Sequence, residues 1–490
     1  MIRSKLSAVL IALSGLFISC QEQDSLKERL DGELLGYSEV GAAAMPDSIA
    51  PINSPLFQHD FKRPEFPETV DTLFSNSETT IQEAIDQLDE KGGGTLVLAE
   101  GIYETGRITL RSNINLHLQK EATIQFRDDI EDFLPVVFTR NEGVELYSLG
   151  ACIYARDEEN IAITGSGNII GPGKGSVRER TMTHDVIENI VDHNLPVEQR
   201  VYDGQTAEFI FPPALIAPIN CENVFIEGVH LSQSAFWNVV PTYCENVIIR
   251  GLTIHSEGIP RGDGIDIESS KNVLVEYCTL NTGDDCIAIK AGRGYDGLRV
   301  AKPSENIVVR YSLAATGHGG ITLGSETAGM IKNLHVYDCA FDGTDVGIRF
   351  KTRRPRGGGG ENILLERIRM HVVHSALRWD MLGNAIHVGE AADRNTEVEV
   401  NPLTPKFSDI SMNKILIEES GHTVNIEGIP ESPLENVVLS EVYGVGKNFL
   451  TAKDVTNFLI QDSEFISENT KVDSVSATGL VLDNVAVREL

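Results

Sequence analysis

"ENVFIEGVHL" (222–231), "ENVIIRGLTI" (245–254), "KNVLVEYCTL" (271–280) and "ENIVVRYSLA" (305–314) are four versions of one unit. Each opens on a charged residue and an asparagine, runs through a β-branched apolar stretch, turns at a polar pair and re-enters an apolar run. "KNLHVYDCAF" (332–341) and "ENILLERIRM" (361–370) extend the series, and "ENVVLSEV" (435–442) and "TNFLIQDS" (456–463) continue it. The intervals between the asparagines (Asn223, Asn246, Asn272, Asn306, Asn333 and Asn362) are too short for a parallel crossover carrying its own helix. They suit one coil of a parallel β-helix, with the longer intervals marking insertions on one edge. Each strand then pairs with the same strand of the next coil, and the inward residues stack into a continuous core. The recurrent asparagine is expected to form a ladder of side-chain amides bonded to turn backbone.

Working outward, the coil pattern covers residues 76–490. One short helix is expected at its start, in "TTIQEAIDQLDEKGGG". Thr79 or Thr80 caps it, Ile81, Ile85 and Leu88 share a face, and Gly92 stops it. Residues 20–75 are polar and proline-dotted, and read as a linker and irregular lead-in. Residues 1–19 have the form of a signal peptide: Arg3 and Lys5, an apolar run from Leu6 to Ile18, then Ser19 before Cys20. The small residue before cysteine points to a bacterial lipoprotein signal, so the protein is expected to be exported and attached to a membrane only through lipid on Cys20. The 490-residue chain carries 41 Lys+Arg against 72 Asp+Glu, a net charge of −31, which argues against nucleic acid as a partner. A monomer is expected.

In a β-helix, register is geometry: equivalent positions of successive coils sit ~4.8 Å apart. "YCTLNTGDDCIAI" (277–289) aligns without gaps to "YSLAATGHGGITL" (311–323), which sets Asp284 against His318. One coil earlier, "DGIDI" (263–267) aligns with "DCIAI" (285–289), which sets Asp263 under Asp285. One coil later, "TDVGIRFK" (344–351) aligns with "GHGGITLG" (317–324) and brings Arg349 and Lys351 just past the same turn. Three carboxylates in mutual reach raise at least one pKa, giving a protonated acid beside an ionised base. Hydrolysis of a glycosidic bond needs that combination. A histidine can hold the acid's protonation state, and Arg with Lys suits a substrate carboxylate. Lys290, which closes the same strand, and Arg354, in the basic loop "KTRRPRGGGG" (351–360), are further candidates for binding substrate.

With these residues assembled, the chain resembles glycoside hydrolase family 28, the polygalacturonases of the pectin-lyase-like superfamily, over roughly residues 76–400. The family's Asn-Thr-Asp element is matched by "RGDGIDI", which keeps only the aspartate, Asp263; its Asp-Asp element by Asp284-Asp285; its Gly-His-Gly element by Gly317-His318-Gly319; and its Arg-Ile-Lys element by Arg349-Phe350-Lys351. The resemblance implies an all-β, single-stranded, right-handed parallel β-helix that hydrolyses α-1,4 galacturonosidic bonds in pectin with inversion. It implies Asp284 as general acid, Asp263 and Asp285 as the pair activating water, His318 as the residue tuning the acid, and Arg349 and Lys351 as the binders of the galacturonate carboxylate. No His/Cys cluster shows zinc spacing and the aspartates are better used as acids than as calcium ligands, so no metal and no cofactor are expected.

Two departures stand out. Arg261 and Gly262 replace the Asn-Thr pair, and no tyrosine lies between Tyr337 and Tyr443, where the family supplies one; Trp379 or His374 is the candidate for that space. These departures leave rhamnogalacturonan or another pectic linkage open as substrate. A surface glycan-binding lipoprotein without activity is the reading from outside the enzymes, and the intact acid, histidine and Arg/Lys set argues against it. The cysteines, among them Cys221, Cys244, Cys278, Cys286 and Cys339, are expected as buried thiols. Phe236-Trp237 reads equally as a sugar platform or as core. The insertion at 173–210, with Arg178, Arg180, His184 and Arg200, is expected to shape one end of the groove. Together with a likeness of "GSETAGMIKN" and "GTDVGIRFKTRRPRGG" to bacterial members that act on chain ends, it favours exo action.

Overall fold

The structure, a computed structural model, describes residues 25–490. The leader and Cys20 lie outside the described residues. Among those described, no helix is long and apolar enough to cross a membrane.

The repeat unit closes into a right-handed parallel β-helix. A 25-stranded sheet system links each coil to the next, and the aligned asparagine units pair in parallel in the register read from the sequence. One column of the core shows why. Ile161, Val224, Val247, Val273, Ile307, Leu334, Ile363, Ile410 and Val437 stand in register over nine coils, and all are buried. Slipping any coil by one residue would turn this column outward, so burial fixes the register.

The asparagines sit in the left-handed region, with φ between 52° and 59° from Asn160 to Asn362. This conformation is tolerated by a short polar side chain and costs a branched one. The amide ladder differs from the expected one in its partners. The amides bond to one another rather than to turn backbone: each Nδ2 donates to the Oδ1 of the preceding coil, from Asn160–Asn113 at 3.0 Å to Asn333–Asn306 at 3.0 Å. Strand spacing sets each amide directly over the last, so the bond closes between coils.

The first coil is covered by the helix Ile81–Asp89. Thr80 caps it with Glu83 in a capping box, and Ile81, Ile85 and Leu88 are buried. The segment expected as a linker is instead strapped to the flank of the stack. The helix Leu26–Glu33 packs on Leu416 and Tyr443, and Val70–Leu73 adds a strand beside Gly94–Leu98. The strap has a physical cause. Glu227, Arg250, Glu276 and Arg310 occupy one register position of four successive coils. Arg250 bonds Glu227 at 2.6 Å and Glu276 at 2.8 Å, and Arg310 bonds Glu276 at 2.8 Å. Each arginine has donors left over, and they take strap carbonyls: Arg250 reaches Pro46 and Arg310 reaches Ala50, both at 2.7 Å. The cysteines at 152, 221, 244, 278, 286 and 339 are buried free thiols, as expected.

Candidate active site

Four adjacent strands present the site. Ile265–Glu268 pairs with Ile287–Lys290, which pairs with Gly319–Gly324, which pairs with Val346–Lys351. The registers match the sequence alignment, so Asp263 lies beneath Asp285, Asp284 beneath His318, and Lys351 above Gly324. The turn before each strand holds the acids, and the apolar residues after it anchor them in the core.

Asp263, Asp284 and Asp285 each bring one carboxylate oxygen within 4.8 Å of the others. Their environments differ. The side chains of Asp285 and Asp263 are 0% and 4% exposed, that of Asp284 24%. Burial alone would push the Asp285 carboxyl up, but Lys351, Arg349 and Lys290 outweigh it and hold it far below the usual range. Lys351 Nζ stands 2.9 Å and Arg349 Nη1 3.2 Å from its oxygens. Asp263 meets Lys290 at 3.8 Å, beyond hydrogen-bond reach. Burial, then the charges of Asp266 and Asp284, push it well up. Asp284 Oδ1 accepts from His318 Nδ1 at 3.1 Å and from the Asp285 backbone N–H at 3.0 Å. The bond to Asp284 raises the imidazole pKa against partial burial.

A fourth carboxylate, Asp266, lies fully buried close to the three. Burial pushes it up to about 8, against the pull of Lys290. It shares the register position of Ala288, Thr322 and Arg349, and that position is the sequence signal that places it on the cleft side of its strand. Neither the repeat nor the family motifs single it out. Lys290 is buried with it. Its ammonium meets Asp266 at 3.3 Å, Glu326 at 3.3 Å and Asp263 at 3.8 Å, and lies 4.5 Å over the Trp237 ring. Lys290 is therefore a charge partner in the floor of the cleft, with its donors already engaged. Trp237 is floor as well, 3% exposed, and Phe236 stacks on it in the core.

The cleft above these groups encloses about 180 Å³ and is walled by Glu142, Arg261, Arg293, Glu326 and Arg353. Arg293 bonds Glu142 at 3.3 Å and Glu326 at 3.2 Å, and Arg261 meets Glu142 at 3.1 Å. Glu142 and Arg293 belong to segments outside the coil repeat, so no alignment of coils could place them.

Five candidates lie away from the cleft. Arg354 is buried and grips Glu431 with two bonds of 2.8 and 3.0 Å while donating to the carbonyls of Ala391, Asp393 and Thr396, so its donors are engaged in clamping a loop. Trp379 cannot stand in for the missing tyrosine, because an inward position on Ser375–Asp380 stacks it on Phe350 at 4.0 Å with 1% exposure. The residue in register with Arg349 on that strand is Arg378. In the 173–210 insertion, Arg180 binds Glu208 within the insertion, while Arg178 and Arg200 tie it to Ala235 and Asp296 outside it. Its contribution to the cleft comes from the helix His184–Asp192, whose Glu188 reaches Arg293 at 3.4 Å and Arg353 at 3.9 Å.

Residues 150–458 match the sequence profile described as Glycosyl hydrolases family 28. The chain belongs to glycosyl hydrolase family 28. Its relatives include a probable polygalacturonase of Vitis vinifera, 26% identical over 74% of this chain and 69% of the relative, and an endo-polygalacturonase of Pectobacterium parmentieri, 26% identical over 76% and 86%. Among solved structures it is similar to a hyperthermoactive exopolygalacturonase from Thermotoga maritima, with a TM-score of 0.72 and 28% identity over 95% of this chain and 96% of that one. The relatives thus include both endo- and exo-acting polygalacturonases, and this family 28 member is a glycoside hydrolase.

Three carboxylates at this spacing are also a donor set for a hard divalent cation. Here Lys290 already faces Asp263, and Arg349 and Lys351 already hold Asp285, so a metal ion would compete with three positive charges for two of the three carboxylates. Activity is expected to be unchanged after dialysis against EDTA. Loss of activity that added calcium restores would show that the acids hold an ion.

Proposed function

We propose that this protein hydrolyses α-1,4 galacturonosidic bonds of pectic polygalacturonate with inversion, releasing sugar from the chain end. The observation that carries the reading is the division of the triad: one carboxylate is locked in its ionised form by Arg349 and Lys351, and another reaches the cleft beside His318.

Burial pushes both Asp263 and Asp266 up, so the cluster of carboxylates around Lys290 favours keeping a proton. Burial favours Asp263 as its holder while the cleft is empty. Delivery to a leaving oxygen requires a group the substrate can touch, and Asp284 is the exposed member. Its Oδ1 is occupied by His318 and the Asp285 N–H, so the proton to be delivered belongs on Oδ2. The proton passes from Asp263 to Asp284 within the cluster. Asp263, ionised by that transfer, then takes the proton from the attacking water, which the locked carboxylate of Asp285 helps to orient. The N–H groups of Arg349 and Lys351 that do not bond Asp285 are available to the carboxylate of the sugar beside the scissile bond.

The carboxylate separation is shorter than the ~6.5–9.5 Å that usually leaves room for water in an inverting pair. Inversion is supported here by family membership rather than by that distance. Glu188 of the insertion helix, which braces the wall residues Arg293 and Arg353, supports action at a chain end, and those arginines suit an anionic sugar. Arg261 in the cleft wall, where the family has a neutral residue, is the feature that favours a different pectic linkage.

The test is product analysis on polygalacturonate and rhamnogalacturonan oligomers, with anomer-resolved NMR of the first product. The expected result is early release of galacturonate monomer with inverted configuration. A ladder of oligomers at early times contradicts exo action, retained configuration contradicts single displacement, and cleavage of rhamnogalacturonan alone contradicts the linkage.

A further inference from the structure

Above Asp284 the same register position continues for three more coils. His318 N–H bonds the Asp284 carbonyl at 2.9 Å, Val346 N–H bonds the His318 carbonyl at 3.1 Å, and His374 N–H bonds the Asp345 carbonyl at 2.8 Å. Asp284, His318, Asp345 and His374 therefore stack as an alternating column of acid and base along the edge of the cleft. Their side chains follow the backbone. His318 turns Nδ1 to Asp284 at 3.1 Å and Nε2 to Asp345 at 4.0 Å, and the other oxygen of Asp345 faces His374 Nε2 at 3.7 Å. Both nitrogens of His318 thus point at carboxylates, an arrangement suited to a ring carrying two protons.

We propose that Asp345 and His374 are positioning residues for the acid, extending the Asp284–His318 pair into a four-residue ladder that fixes the His318 ring with Nδ1–H on Asp284. The catalytic consequence rests on the reading of Asp284 as general acid; the ladder itself does not. The charged groups that face His318 are Asp284 and Asp285 from the coil below and Asp345 from the coil above. Glu257 reaches the same edge by accepting from Thr316 at 2.7 Å. The column is half open to water, so each link is modest and screened by salt.

The ladder makes opposed predictions for its two upper members. His318 is followed by NMR titration of its imidazole in the substrate-free protein, with a melting curve as control for folding. In D345N the midpoint is expected to fall by about half a pH unit, the scale of one charge pair at this distance near a surface. In H374A, Asp345 faces His318 alone, and the midpoint does not fall. In the double variant the midpoint matches D345N, because His374 acts only through Asp345. A D345N midpoint equal to wild type, or an H374A midpoint that falls with it, overturns the ladder. The basic limb of the pH dependence of kcat/KM is expected to move with the D345N midpoint. If the midpoint moves and the limb stays, the catalytic consequence fails and so does the assignment of Asp284 as acid.

Discussion

Asp284→Asn is expected to lower kcat by a factor on the order of 10²–10⁴, the usual contribution of a positioned general acid. The amide keeps the shape of the side chain and its carbonyl oxygen can still accept from His318 Nδ1 and the Asp285 N–H, so the melting temperature is expected to stay close to wild type. The loss should fall on kcat with little change in KM, because Arg349 and Lys351, the proposed binders of the substrate carboxylate, are anchored on Asp285 and not on Asp284. Asp285→Asn should differ in kind: it leaves the two cations without their shared carboxylate and is expected to change KM as well as kcat. Initial rates for both variants on polygalacturonate separate the cases. Unchanged kcat in D284N sinks the acid assignment outright.

The largest stability effect is expected far from the cleft. Glu276 is fully buried and serves two buried arginines at once, Arg250 from the coil before and Arg310 from the coil after. Glu276→Ala leaves both guanidinium groups in a low-dielectric flank without their shared counter-charge, a change expected to cost ~3–5 kcal/mol. The strap loosens with it, because the same arginines hold the carbonyls of Pro46 and Ala50. Urea denaturation should show the loss, and limited proteolysis should cut first between residues 40 and 60. A variant as stable as wild type, with an intact strap, would mean that the ladder is held by something other than charge.

Much of the site is legible in the amino-acid sequence because a parallel β-helix converts register into distance. The pairs Asp263–Asp285 and Asp284–His318, and the placement of Arg349 and Lys351 past the turn, follow from aligning short repeats whose apolar columns admit a single register. The glutamate–arginine column under the strap, the upper half of the Asp-His-Asp-His column and the place of Asp266 in line with Arg349 obey the same rule. They occupy positions that carry no familiar motif, so only their charge, repeated from coil to coil or set on a strand, marks them in the sequence.

The repeat by itself determines the fold, the core columns and the stacking of the three cleft carboxylates. Tertiary structure decides the rest, for two reasons. Segments outside the repeat have no register: the positions of Glu142 and Arg293 in the cleft wall, of the insertion helix against the wall arginines, of the strap on the flank, and of Arg354 on Glu431 depend on loops that the coil period does not constrain. And for charged groups, register gives position but not burial. Only the packed structure shows that Lys290 is sealed under three carboxylates, that Asp285 is pinned by two cations while Asp263 is not, and that Trp379 faces inward, because desolvation and the sum of neighbouring charges are properties of the assembled interior.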